Sequence, residues 1–367
     1  MFKDFKSLYE INWLYFLLII ILFWIGVMNL FSAAGGSLDP WAKNQLIRFV
    51  VFMPIFFIII MIKPRAIFNF SELFLFLIVI GLIFTLFFGY TGMGARRWLR
   101  LGFINLQISE FAKIFLVLYL AKYFHNLDSK GHLEISRSIF PMIITLLIFI
   151  LIAIQPDLGT ALILLLLGCC VIFFIGIRLI YPIIIFFMMV GISPFLWTFL
   201  KPYQQSRIKI FLNPDLDPLG KGYHIIQSKI AIGSGGIRGN GFLGGSQSSL
   251  DFIPEKETDF VFSIFSEQFG FIGALILLLI FLILILTPII SSLKIQNTFI
   301  KIALLGLSVK LLAEVFINIG MTLGILPVVG VALPFMSYGG SSLLSNMIIC
   351  ALIINFMSAD KKVKYFR

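Results

Sequence analysis

Charge is scarce in this sequence. Asp, Glu, Lys and Arg together make up 12% of its 367 residues while 60% are hydrophobic, and mean hydropathy is +1.06. That balance excludes a soluble globular protein. Short alternating strands are also missing. Apolar residues come in continuous runs of roughly twenty, the length that carries a helix across a hydrocarbon core, and this excludes a β-barrel. Cysteine and histidine are equally sparse. Cys169, Cys170 and Cys350 all sit inside apolar runs as small core residues, so neither a disulfide nor a thiolate metal site follows. His125, His132 and His224 lack ligand spacing, and no histidine metal site is expected.

Length and hydropathy place about ten transmembrane spans, at 13–32, 45–62, 67–88, 108–124, 138–154, 159–176, 179–199, 261–290, 299–320 and 338–357. The first run is too long for a signal-peptide core and lacks a small-residue cleavage pattern, so it is expected to stay as a span. The fold class that follows is an all-α polytopic membrane protein. It is expected to form one integral membrane domain over 1–367, with a large extracytoplasmic loop at 201–260 between the seventh and eighth spans. Both termini then share one side with Lys63, Arg65, Lys122, Arg137, Arg178, Lys294, Lys301 and the basic C-terminal end, which the positive-inside rule assigns to the cytoplasm.

The opposite side carries cations that this rule does not predict. Arg96, Arg97 and Arg100 cluster in a short loop beside glycines, which points to an anionic ligand such as a phosphate or diphosphate headgroup, or to ordinary anionic lipid. The large loop adds Lys201, Arg207, Lys209, Lys221, Lys229, Arg238 and Lys256, but long segments escape the orientation rule. Its many isoleucines and phenylalanines give it apolar surface to bury, unlike a solvated linker.

Charges inside the spans are costly and mark pairing or function. Glu110 and Lys113 are spaced i, i+3 near the outer end of the fourth span, and Lys310 and Glu314 are spaced i, i+4 well inside the ninth. Each pair either closes on itself and pins its helix or takes part in chemistry. Between the fifth and sixth spans, Gln155-Pro156-Asp157 breaks the chain, with Asp157 placed to cap the next helix. Ser337-Tyr338-Gly339-Gly340-Ser341-Ser342 opens the last span, where the hydroxyls of Ser337 and Ser341 suit either a phosphate or a helix cap. Asp259 ends the large loop at the water–lipid boundary. A carboxylate there suits a general base acting on a hydroxyl of a lipid-anchored substrate, although the residues taken alone favour an N-cap for the eighth span.

Five stretches bring a family into view. ARRWLRLG at 95–102, LQISEFAK at 106–113, QPDLGTA at 155–161, PEKETDFVFS at 254–263 and LPFMSYGGSS at 333–342 resemble the signature segments of the SEDS family, in order and over essentially the whole chain. GKGYHIIQSKIAIGSGG at 220–236 and the FIPEKETDF that follows resemble the elongation member more than the division member. The resemblance implies a peptidoglycan glycosyltransferase that polymerises lipid II at the outer face of the bacterial cytoplasmic membrane. By resemblance Asp259 matches the essential loop aspartate, Arg97 and Trp98 the loop arginine and tryptophan, and Glu110 and Lys113 the helix-borne pair.

Arg96, Asp157, Ser337 and Ser341 join Arg97, Trp98, Glu110 and Lys113 as expected substrate-binding positions. The implied partners are lipid II, a class B penicillin-binding protein acting as transpeptidase, and other membrane proteins of the elongation complex; nucleic acid is not among them. The implied cofactor is either none or a divalent cation, Mg or Mn. Two departures from the family pattern stand out. Ile108 replaces a proline at the start of the fourth span, and Glu257 replaces a histidine, adding negative charge beside Asp259 that should raise its pKa. A lipid II flippase and a scaffold that recruits a synthase are the rival readings.

Overall fold

The computed structural model describes residues 11–92, 95–101, 104–127, 136–174, 191, 198, 202–217, 220–245 and 255–359. Its helices are α1 (Trp13–Ala33), α2 (Trp41–Met61), α3 (Pro64–Phe88), α4 (Ile108–Asn126), α5 (Ser136–Ile154), α6 (Leu158–Phe174), α7 (Pro202–Leu212), α8 (Lys221–Ser234), α9 (Val261–Lys294), α10 (Thr298–Thr322) and α11 (Gly340–Ala359). Among the described residues seven of these, α1, α2, α3, α5, α9, α10 and α11, are long and apolar enough to cross a membrane, and α6 is a shorter apolar helix. The chain is a multi-pass, predominantly helical membrane protein. Apart from residues 191 and 198, the expected seventh span at 179–199 lies outside the described residues.

Local chemistry sets where helices begin. Asn12 Oδ1 accepts from the Tyr15 amide at 3.1 Å and Asn297 Oδ1 from the Ile300 amide at 3.1 Å, while Pro64 opens α3 with no amide hydrogen to lose. Ile108, where the family pattern has proline, takes the first helical position of α4 after Gln107. At the centre lie α10 and α11, whose span windows are 72% and 78% buried against 22% for α3. α4 packs between α3, α6, α10 and α11. The outer helices turn Phe76, Phe84, Phe87, Val50 and similar side chains outward, the arrangement that a hydrocarbon solvent favours.

Two loops have more structure than the sequence suggests. The arginine-bearing loop is a three-stranded antiparallel sheet, β1 (Tyr90–Gly92), β2 (Ala95–Leu101) and β3 (Ile104–Leu106), with β2 in the middle. The large loop contains α7, a single 3₁₀ turn at Pro214–Leu216, and α8. The eighth span also departs from expectation, because α9 is broken at Gly270 (φ 63°, ψ −163°), a conformation open to glycine and strained for other residues. A break of this kind frees backbone groups that must be satisfied. The glycine-rich chain after α8 does so. The amides of Asn240 and Gly241 donate to the carbonyls of Glu267 and Gln268 (both 3.0 Å), and those of Phe271 and Ile272 donate back to Gly236 and Ile237 (2.9 and 3.2 Å). This ladder fastens the large loop to the helix that follows Asp259.

Candidate active site

β2 divides the expected arginine cluster. Arg97 turns inward with its side chain 20% exposed, and its Nη1 lies 3.5 Å from Asp157 Oδ1. Arg100 is exposed and stacks its guanidinium 5.1 Å from the Tyr90 ring centroid. The side chain of Arg96 lies outside the described residues. Trp98 is half-buried and pairs across the ladder with Tyr90.

Asp157 turns out to be both cap and partner. Its Oδ1 accepts from the Thr160 amide at 3.4 Å at the start of α6, and its Oδ2 accepts from Gln107 Nε2 at 2.9 Å. With 2% of its side chain exposed, it holds Arg97 from the protein side. The two serines are tied up in the same way. Ser341 Oγ donates to Asn105 O (2.9 Å) and accepts from the Gln107 amide (3.0 Å), joining α11 to the β3–α4 corner. Ser337 Oγ donates to Thr258 O (2.6 Å) and accepts from the Leu333 amide (2.8 Å). Both hydroxyls position backbone around the site.

Asp259 lies in the turn 255–260 just before α9. The amides of Thr258, Asp259 and Phe260 converge on Glu255 O (3.1, 3.2 and 3.4 Å), and the Tyr338 amide donates to Glu257 O at 2.8 Å. The residue capping α9 is Phe260, with no side-chain bond, so Asp259 is not the cap. Its carboxyl is held at the site without that duty. Burial, and then the charge of Glu255, raise its pKa to about 7 from the ordinary 3.8; Arg207 and Arg97 pull the other way, and Glu257 adds a smaller push upward. The upward effect expected of Glu257 is thus present, with Glu255 the stronger neighbour.

Arg207 on α7 is the residue the sequence did not single out, since it was one cation among seven in a loop exempt from charge rules. Its fellow feature is a buried Nε: among the described residues neither Arg97 Nε nor Arg207 Nε has a hydrogen-bond partner. Two guanidiniums and a carboxyl of near-neutral pKa can together bind an anion and accept a proton beside it. Asp259, Glu255 and Glu257 supply negative charge, yet among the described residues no three His, Cys, Asp or Glu converge in a way that could hold a metal ion.

The intramembrane charges form one group where the sequence offered two pairs. Lys113 Nζ lies 2.8 Å from Glu110 Oε1 and 2.6 Å from Glu314 Oε1, and Lys310 Nζ lies 2.7 Å from Glu314 Oε2. Lys310 Nζ also donates to Asn346 Oδ1 at 2.6 Å, which brings in α11. Lys113 and Lys310 are fully enclosed, at 1% and 0% exposure. The group balances two positive charges against two negative ones and ties α4, α10 and α11 together.

Comparison with known proteins gives this geometry a context. Residues 11–362 match the family of cell cycle proteins designated FTSW_RODA_SPOVE. The peptidoglycan glycosyltransferase MrdB of Escherichia coli strain K12 is 38% identical over 334 residues, covering 90% of this chain and 89% of that protein. Stage V sporulation protein E of Bacillus subtilis is 34% identical over 350 residues, covering 92% and 94%. Among solved structures, a chain from a peptidoglycan synthase complex that coordinates polymerization and crosslinking superposes with a TM-score of 0.83 at 32% identity, over 95% of this chain and 98% of its own. A mutant of the rod shape determining protein RodA from Thermus thermophilus gives 0.73 at 25% identity, over 96% and 99%.

Proposed function

The chain belongs to the FtsW/RodA/SpoVE family of cell cycle proteins, and on that footing we propose that it is a peptidoglycan glycosyltransferase of cell elongation that polymerises lipid II. The observation that carries the reading is Asp259, half-buried at the mouth of α9, with a pKa near 7 and the charges of Arg97 and Arg207 acting on it. A base whose pKa lies close to working pH is ionised often enough to act and basic enough to take a proton.

In the proposed reaction Asp259 takes the proton of the N-acetylglucosamine 4-hydroxyl on an acceptor lipid II. That oxygen bonds to the anomeric carbon of the N-acetylmuramic acid at the reducing end of the donor chain. The bond from this carbon to the undecaprenyl diphosphate oxygen breaks, the diphosphate leaves with the electron pair, and an α-linkage becomes β. One base and one stabilised leaving group suffice for such an inverting displacement. Arg97 and Arg207 are the proposed stabilisers of the diphosphate charge, their guanidiniums matching its paired oxygens. Trp98 would rest in the headgroup layer beside them. Lys113 and Glu110 contribute by fixing α4, since the Lys113 ammonium is committed to two carboxylates.

The sidedness of Lys and Arg supports the cytoplasmic membrane with both termini inside. Similarity to a chain from a complex that couples polymerization to crosslinking supports a class B penicillin-binding protein as partner. The relative MrdB is a peptidoglycan glycosyltransferase, which favours an enzyme over the flippase and scaffold readings.

The test is polymerisation of lipid II by the purified protein with a cognate transpeptidase, wild type beside Asp259→Asn. Loss of a general base costs about 10²–10⁴-fold, so strands are expected from the wild type alone. Equal rates from the two proteins would remove Asp259 from the mechanism.

A further inference from the structure

Asn318 lies on α10 one helical turn beyond Glu314 and is completely buried. Its Nδ2 donates to two backbone carbonyls from separate parts of the chain, Asp259 O at 3.1 Å and Val331 O at 2.7 Å. Both neighbours are acceptors, so only the amide nitrogen can face them, and the orientation of the side chain is fixed by that chemistry. Among the described residues its Oδ1 has no partner. The residue is thus held in the core by its two donated bonds and by packing.

These bonds join the two segments that meet at the Asp259 carboxyl. Gly330, adjacent to Val331, has φ +76°, and a Cβ built on it would lie 3.4 Å from Asp259 Oδ2. On its other side the same segment abuts the start of α6, where a Cβ on Gly159 would approach Val329 O to 2.7 Å. The chain at 329–331 therefore lies between the α6 cap, which holds Arg97 through Asp157, and the turn that bears Asp259. α10 is in turn braced against α4 and α11 by the buried charge group.

We infer that Asn318 is the positioning residue for Asp259: it clamps the Asp259 and Val331 carbonyls together and so fixes where the carboxyl stands relative to Gly330 and to the arginines. The inference rests on the reading of Asp259 as the general base. Donor groups that lock the backbone of a catalytic residue act on the geometry of the transition state, and a misplacement of about 1 Å can cost roughly 10²-fold.

The experiment compares wild type, Asn318→Leu, Asn318→Asp and Asp259→Asn, purified with the cognate transpeptidase. It measures kcat and KM for lipid II and the pH at which the rate is half-maximal. Asn318→Leu removes both donors while keeping the branching and the number of heavy atoms; Asn318→Asp keeps the shape but sets an acceptor against two acceptors. Expected for both Asn318 variants is a kcat lower by roughly 10- to 100-fold, KM within about twofold of wild type because the arginines are untouched, and a displaced pH midpoint because the carboxyl has moved among its charged neighbours.

If Asn318→Leu does not fold, Asn318→Asp carries the test. A folded Asn318 variant with wild-type kcat and an unmoved midpoint overturns the inference, as does a loss confined to thermal stability. The two readings fail separately. An active Asp259→Asn defeats the assignment of the base itself, whereas an inactive Asp259→Asn beside fully active Asn318 variants defeats only the positioning role.

Discussion

Lys113 on α4 and Glu314 on α10 meet inside the membrane with Nζ and Oε1 2.6 Å apart. Each already has a partner on its own helix, Glu110 for the lysine and Lys310 for the glutamate. The bond between them converts two local pairs into one electroneutral group shared by three helices, counting Asn346 on α11. In a medium without water, such a group is stable only as a whole.

Glu314→Gln should therefore destabilise strongly. It leaves two buried lysines against one carboxylate, and breaking a buried pair costs about 3–5 kcal/mol. Adding Lys310→Met to Glu314→Gln restores the balance, so the double variant should melt at a higher temperature than Glu314→Gln alone, the mark of coupled residues. Thermal unfolding in detergent checks this, and additive effects of the two substitutions would contradict it.

Asp157→Ala should impair both helix and site. The α6 cap is worth about 1 kcal/mol. Without Asp157 the Arg97 guanidinium and the Gln107 amide lose their shared anchor. Polymerisation is expected to fall roughly 10- to 100-fold through misplacement of Arg97, with a raised KM for lipid II. Steady-state kinetics decide, and an unchanged KM would separate Asp157 from substrate binding.

The pH dependence of the rate should report Asp259. A general base acts ionised, so activity should rise through a midpoint near pH 7, where burial and Glu255 have placed this carboxyl. Glu255→Gln should move the midpoint down and Arg207→Gln should move it up. Stability should run the opposite way. A folded pKa of about 7 against the ordinary 3.8 means the fold favours the protonated acid. That contribution is complete below about pH 4 and is lost as pH rises through 7, so the melting temperature of the wild type should fall relative to Asp259→Asn across that interval. Rate profiles and melting curves over pH 4–8 test both signs.

Much of this protein was legible in its residues. Continuous apolar runs specify helices in lipid because no other segment satisfies its own backbone there, and α1, α2, α3, α5, α10 and α11 begin within a few residues of where the runs predict. The signature segments likewise named the family and singled out Asp259 and Arg97. The structure decided what depends on distance in space. Gly270 breaks α9 because a loop about thirty residues upstream supplies its missing hydrogen bonds, and no local pattern announces that. The same holds for Arg207, brought to Asp259 by the packing of α7, and for Asn318, whose two carbonyl partners belong to other segments. Apolar periodicity fixes which segments enter the membrane, since each residue contributes its own transfer energy. Hydrogen bonds and ion pairs need a second group within about 3 Å, and only the tertiary fold determines which group that is.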